Sequence, residues 1–442
     1  TDLLSIGKSG LMAYARSLET VSHNIANAEN PDYVRRSTLL SDATVTSGLN
    51  PLYAAQSGLN GVRVASTARA SDEFIEAQVR LSGASRVRTE TLVNWLDLVA
   101  TGLDGAGTNV GTTLNNFYSG GEELAAAPFD SALRLTFLSN LESTADAFRR
   151  TSSNLQLTLE QLNQSAQSET LQLNGALENL AKINLDIVRT PMGSDAYAGL
   201  LDSRDAALAV ITEKLDVKVS LAGSGVANLS FDGVPVVTNG TAAMIGVTNN
   251  PDNSLMITVD GAATRAPING TLAGLSRASA VTSQRNDELN AMAQKFVDDV
   301  NAWHGAGVTG GGVSGAPLLT MTGDASTIAV TTQNIADLAV ASSDGTPHGN
   351  LLALSSYRGA GGSEAAWSDY MSLHANTLAT ARNEKDAAAA LDTNARTTRD
   401  QLSRVNLDRE AADLIRLQQA YEASARVIQI ARETVESVLA IF

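Results

Sequence analysis

From Ser363 to Phe442 the chain runs for 80 residues without a glycine or a proline. Those two residues are the strongest local breakers of regular structure, so a stretch of that length free of both predicts helix. At ~1.5 Å per residue, such a run is far longer than a compact domain is wide. Two more stretches share the property. Phe129 to Thr190 holds no Pro and only Gly175, and is flanked by Pro128 and Pro191. Leu275 to His304 lacks both residues. The pattern predicts a rod-like, mainly helical body with breaks in the longest runs.

Both chain ends carry a repeat. Near the N-terminus Leu4, Gly7, Leu11, Tyr14, Leu18, Val21, Ile25 and Ala28 alternate spacings of 3 and 4, and none is charged. Near the C-terminus Leu407, Ala411, Leu414, Gln418, Tyr421, Ala425, Ile428, Arg432, Val435, Leu439 and Phe442 do the same. A sustained 3.5-residue repeat needs a partner helix to cover its stripe. One stripe at each end suggests that the two ends pair as a coiled coil. An amphipathic helix lying on a domain is the plainer alternative. The middle run repeats the spacing at Leu155, Leu159, Leu162, Ala166, Leu173, Ala176, Leu180, Ile183 and Ile187, with Glu169 as the exception. It suits one arm of a helical hairpin or bundle.

Between the helices the period changes. Asp216 to Ser220 and Val226 to Phe231 alternate, Asp232-Gly233 supplies a hairpin turn, and Leu255 to Asp260 makes a further strand before Gly261. Gly305 to about Gly362 is a second region of loops and strands, with strand candidates at Thr327–Val330 and Leu338–Ala341. The expected fold class is α+β, mainly α. Its parts are terminal helices pairing as a coiled coil, a long central helical bundle and a small inserted β-rich domain. The expected domains are residues 1–35 with 405–442, a central, mainly helical domain of 36–215 with 269–404, and an outer β-rich domain of 216–268.

Composition narrows the function. A formal charge of −16 argues against a nucleic-acid groove. The absence of cysteine removes disulfides, thiolate metal sites and a cysteine nucleophile. No apolar run of about 18 residues predicts a membrane span. The stretch from Leu3 to Leu18 is broken by Lys8, Gly10 and Arg16, so no cleavable signal peptide is expected. Taken alone that suggests the cytoplasm, and it fits export by a signal-less route equally well. His23, His304, His348 and His374 have no chelating spacing, and His23 and His304 suit surface or capping roles. The glycine-rich loop Gly305–Gly315 has no lysine to hold phosphate. Asp202, Arg204, Asp205 and Glu213 fit a solvated helix face or ion pairs better than acid/base chemistry. No catalytic, metal or cofactor residue is therefore assigned, and no cofactor is expected.

One segment carries more information. In Ser22-His23-Asn24-Ile25-Ala26-Asn27-Ala28-Glu29-Asn30-Pro31-Asp32-Tyr33-Val34-Arg35-Arg36 the heptad helix runs into Ala28 and Pro31 prevents its continuation. Pro31-Asp32 can turn, and the chain then leaves extended. The segment resembles the pattern S-x-N-[IL]-A-N-x-x-T-P-G-Y-x-R of the axial proteins of the bacterial flagellum. It matches at Ser22, Asn24, Ile25, Ala26, Asn27, Pro31, Tyr33 and Arg35, and departs at Asn30 and Asp32. Val405 to Ala425 resembles the NLDEEAANLIRYQQAYQASA segment of the hook-associated proteins of the hook–filament junction, FlgK type, with departures at Arg409, Asp413 and Leu417. Leu201-Asp202-Ser203-Arg204-Asp205 is similar to the L-D-Q-R-D of that family.

The resemblance implies a non-enzymatic structural subunit of the flagellum, an adaptor between hook and filament. It implies export in an unfolded state, folding on assembly and an extracellular place at the junction. The partners it implies are further copies of the chain in a helical homo-oligomer, the hook subunit, a second hook-associated junction protein and a dedicated export chaperone. Neither nucleic acid nor membrane is among them. The expected assembly coiled coil comprises Leu4, Leu11, Tyr14, Leu18, Val21, Ile25, Leu407, Leu414, Tyr421, Ala425, Ile428, Val435, Leu439 and Phe442. The chaperone would bind the last helix, with Val427, Ile428, Val435, Val438 and Leu439 as candidates. Another axial subunit, of rod or hook, is the alternative within the class, and a secreted wall-acting enzyme the alternative outside it.

Overall fold

The computed structural model describes residues 2–30, 32–45, 58–250 and 254–439. Its helices are α1 (Asp2–Ala26), α2 (Glu73–Asp104), α3 (Val110–Ala126), α4 (Ser131–Arg189), α5 (Asp195–Lys214), α6 (Thr271–Ala306), α7 (Gly349–Leu354), α8 (Ser363–Ser403) and α9 (Leu407–Leu439). The strands are short and antiparallel. β1 (Arg36–Val45) pairs with β2 (Gly58–Arg69). β3 (Lys218–Leu221), β4 (Ala227–Phe231), β5 (Val234–Thr238) and β6 (Thr241–Ala242) form one meander. β7 (Ile245–Asn249), β8 (Leu255–Val259) and β9 (Ala262–Ala263) form another. β10 (Leu319–Thr320) pairs with β11 (Ala329–Val330). This is the mainly α, α+β class that the sequence predicts.

Local signals set the helix ends. The Asp130 carboxylate accepts the N–H groups of Ala132 and Leu133 at the start of α4, and Pro191 follows its end. The stripe of α4 turns inward as its spacing predicts: Leu155, Leu162, Ala166, Leu173, Leu180, Ile183 and Ile187 are buried. The long run from Ser363 breaks at residues 404–406. There the Asn406 side chain accepts the Arg409 N–H at 3.0 Å and caps α9. The carbonyl of Ser403, left over at the end of α8, accepts the backbone N–H of Arg35 at 2.9 Å.

Two compact units divide the chain. The first comprises Thr1–Ala84, Gln172–Met244 and Ala389–Phe442. Within it Asn184, at the end of α4, holds the first meander. Its amide donates to the carbonyls of Ala227 and Asn239 at 2.8 Å and accepts the Ala227 N–H at 2.9 Å. Asp232-Gly233, both at positive φ (51° and 77°), makes the tight turn between β4 and β5. The second unit comprises Ser85–Leu171 and Ile245–Ala388. Its core is aromatic. Phe296 lies 5.6 Å from Phe117 and 5.7 Å from Phe148 between ring centroids, and Phe137 lies 5.8 Å from Trp303. The strands read between residues 216 and 268 form two sheets, one in each unit.

Two strand expectations need correction. Of Thr327–Val330, only Ala329–Val330 is strand, because Ala325–Thr327 closes a 3-10 turn capped by Asp324. Leu338–Ala341 joins no named strand, although Ala341 bridges to Val308. The backbone of Ala339 is taken instead by side chains: its N–H by His304 at 2.9 Å, its carbonyl by Asn350 at 2.7 Å. His304 is accordingly not a surface residue. It is 1% exposed.

Candidate functional site at the paired chain ends

The N-terminal helix buries its small residues. Gly7, Gly10, Ala13, Ser17, Thr20 and Asn24 turn inward. A Cβ on Gly7 would sit 2.7 Å from a side-chain carbon of Ile428, and one on Gly10 2.9 Å from the hydroxyl of Ser424. These contacts, with Asn24 against Glu410 further on, run α1 and α9 antiparallel. Helices approach this closely only where side chains are nearly absent. The hairpin β1–β2 covers another side of α1: the Thr20 and Thr38 hydroxyls are 2.9 Å apart, and the Ser9 hydroxyl accepts the Val62 N–H at 3.1 Å.

The apolar seam lies at the margin of this contact. Val21 is buried, Leu11, Tyr14, Leu18 and Ile25 are half-buried, and Leu4 is exposed. On α9, Leu414, Tyr421, Ala425 and Ile428 are half-buried, and Val427, Leu407 and Val435 are exposed. The inward positions of α9 are Glu410, Leu414, Leu417, Tyr421, Ser424, Ile428 and Ala431: they keep Leu414, Tyr421 and Ile428 of the seam counted in the sequence and otherwise lie one residue before its members Ala411, Gln418, Ala425 and Arg432. The side chains of Val438 and Leu439, and the whole of Phe442, lie outside the described residues, as does Pro31.

Two residues of the N-terminal motif converge on Glu410, whose side chain is 0% exposed. One carboxylate oxygen accepts Arg35 Nε at 2.6 Å, and the other the Asn24 amide at 2.8 Å. Asn24 is fully used. Its Nδ2 also donates to the Arg36 carbonyl at 2.8 Å, and its Oδ1 accepts the Tyr33 hydroxyl at 2.8 Å and the Arg36 N–H at 3.0 Å. Two donors and two acceptors are the whole capacity of an amide. Burial pushes the Tyr33 phenol up to about 12, so it remains a donor at ordinary pH. The other motif residues stay local: Ser22 donates to the Leu18 carbonyl, Asn27 to that of His23, and Ala26 is exposed.

A second cluster anchors the hairpin root. Asp202 accepts Arg36 at 2.5 Å and Arg69 at 2.8 Å, while Asp205 accepts Arg69 and Arg204. Burial raises the Asp202 carboxyl above its usual range, and the two arginines oppose that. Glu213 pairs with Arg396 at 3.5 Å. These carboxylates are thus committed to arginines. Among the described residues no group of His, Asp or Glu is disposed to hold a metal ion.

No sequence motif singles out Glu410, Arg69 or the hairpin. The signal for Glu410 was an acid in a helix that otherwise packs apolar residues, which demands a buried partner. Replacing Glu410 by alanine is expected to cost about 3 kcal/mol, because Asn24 and Arg35 lose a charged partner out of water. Hydrogen exchange should then rise in both α1 and α9. Unchanged protection of α1 would show that the cluster does not hold the pair.

Comparison with known proteins fits this geometry. The family model of the helical domain of the flagellar hook-associated protein FlgK matches residues 98–319, just over half of the chain. The chain belongs to the FlgK family. A second model, the C-terminal region of the flagellar basal body rod proteins FlgEFG, matches residues 401–441 and so takes in α9 and Glu410. Flagellar hook-associated protein 1 of Salmonella typhimurium is 28% identical over 328 residues, covering 71% of this chain. The chain spans 58% of the length of that relative. The Bacillus subtilis protein of the same name is 24% identical and covers 99% of this chain and 97% of its own. The solved structure of the flagellar hook junction protein FlgK from Burkholderia pseudomallei matches with a TM-score of 0.63 at 14% identity, over 72% of this chain and 99% of that one. At that identity the likeness concerns the fold of the FlgK-family chain alone.

Proposed function

We propose that this chain is a structural subunit of the bacterial flagellum, not an enzyme, and forms an adaptor zone between hook and filament. The observation that carries the reading is the state of the paired ends. They belong together, yet Leu3, Met12, Leu407, Ile415, Ile430 and Val435 remain exposed on them. Apolar area of that kind gains ~25 cal/mol per Å² when covered. Neighbouring copies in a helical assembly would cover it, by the heterologous contacts that build open tubes. On this reading residues 1–35 with 405–442 are the assembly domain, and residues 36–215 with 269–404 and 216–268 stand outside it.

The hook subunit and a second hook-associated protein are the neighbours at either edge. The chain travels unfolded and folds as it joins the assembly outside the cell. Before export a dedicated chaperone shields the last helix. Val427 and Val435 are already open to it, while Ile428 must first leave Gly7. Among the described residues no helix is long and apolar enough to cross a membrane.

Deleting the chain from its own bacterium should leave hooks without attached filaments and filament subunits loose in the medium. Cells that keep full-length filaments would end this reading. Cells that lack hooks as well would favour a rod or hook subunit instead.

A further inference from the structure

The second unit contains a segment with short ladders of its own that side chains fasten to the end of α6. Residues 307–341 leave the end of α6 and return to it. Asn301 Oδ1 accepts the N–H groups of Leu318 and Leu319, and its amide donates to the Leu319 carbonyl at 2.8 Å. Asn350 donates to the carbonyls of Ala339 and Trp303, and its own carbonyl accepts Trp303 Nε1 at 2.6 Å. His304 joins both arms of the segment: Nδ1 lies 2.6 Å from the Ala316 carbonyl and Nε2 2.9 Å from the Ala339 nitrogen.

That arrangement fixes the state of the ring. A carbonyl can only accept, so Nδ1 carries the hydrogen. An amide N–H can only donate, so Nε2 must be bare. A second proton on Nε2 would face the Ala339 N–H and remove its acceptor. Leu338 and Ala339, on either side of that bond, are fully buried. Asp337, on the 3-10 turn Ile335–Asp337, is the ionisable group acting on the ring, and it favours the proton. Its carboxylate is engaged by Thr332 and Asn334. Trp303 of the same helix lies 5.8 Å from the ring between centroids, and the backbones of Ala316, Asp337 and Ala339 also face it. Burial outweighs Asp337 and holds the imidazole below its usual range.

We propose that His304 is a proton-operated clasp: mild acid releases residues 307–341 from the end of α6 and uncovers Leu318, Leu338 and Trp303. The sign follows from linkage. The unfolded ring takes a proton near pH 6.5 and the clasped ring resists it, so the clasp is whole above that pH and weakens below it. Opening should rise by up to about tenfold on going from pH 7.5 to pH 5.5.

The test is hydrogen exchange of the whole chain at those two pH values, corrected for intrinsic rates. Peptides from 307–341 should open several-fold more at pH 5.5 in the wild type, and equally at both values in His304→Gln. His374 is also buried, its Nε2 donating to the Leu96 carbonyl, so His374→Gln should keep the response of the segment. A response that survives in His304→Gln, or vanishes in His374→Gln, would overturn the proposal. If His304→Gln fails to fold, titration of the wild-type histidines by NMR decides. A His304 value below that of a free imidazole supports the clasp, and one at or above it refutes it.

Discussion

Replacing Leu414, Tyr421 and Ile428 together by aspartate is expected to separate the terminal helices and abolish filament attachment while the second unit stays folded. Each of the three faces α1 or its margin, and Ile428 seats against Gly7. A carboxylate at each position loses apolar burial and buries a charge without a partner, at roughly 2 kcal/mol per site or more. The sites lie seven residues apart, so the costs should nearly add. Limited proteolysis should remove both ends of the variant and spare residues of the second unit. The same residues should survive digestion of the wild type. Normal motility with attached filaments in the triple variant would contradict the assembly role of these ends.

The second large effect is expected in the other unit. Phe296→Ala should destabilise it by about 4 kcal/mol, from lost transfer energy and the cavity left behind. Phe296 is fully buried, edge-on to Phe117 and stacked with Phe148, so neither neighbour can swing in without losing its own contacts. For a unit of this size the midpoint of thermal unfolding should fall by roughly 12 °C. Calorimetry would read it directly. A fall of under 3 °C would mean that the rings repack and that the aromatic cluster is not what holds the unit.

Much of the helical framework was legible because glycine and proline act locally. The extent of α4 followed from Pro128 and Pro191, and the Asp232-Gly233 turn from the backbone that those residues tolerate. What long-range contacts decide was not legible. The hairpin β1–β2 is fastened by Arg36 and Arg69 to carboxylates more than a hundred residues away, on α5. No local period announces that. Only part of the terminal stripe was legible, for a different reason. The alternating spacing includes Gly7, Val21, Leu414, Tyr421 and Ile428, which turn inward, but it also takes Leu4, Leu11 and Leu18, where close helix packing selects Gly10, Ala13 and Ser17. Glu410 and His304 share a third cause. A buried polar residue is intelligible only with its partners, and those are distant in sequence.

The interleaving of the two units sets an order of events for a chain that emerges N-terminus first. The second unit has its last strand of chain by Ala388, and everything it needs has then been made. The first unit cannot close until residues beyond Ala389 exist, because Asn24 and Arg35 wait for Glu410. The earliest residues to emerge are therefore the last to find their place. Until Glu410 arrives, α1 has small residues to offer and α9 absent to receive them, so it should remain open to solvent and to any cellular factor that recognises an unpaired helix.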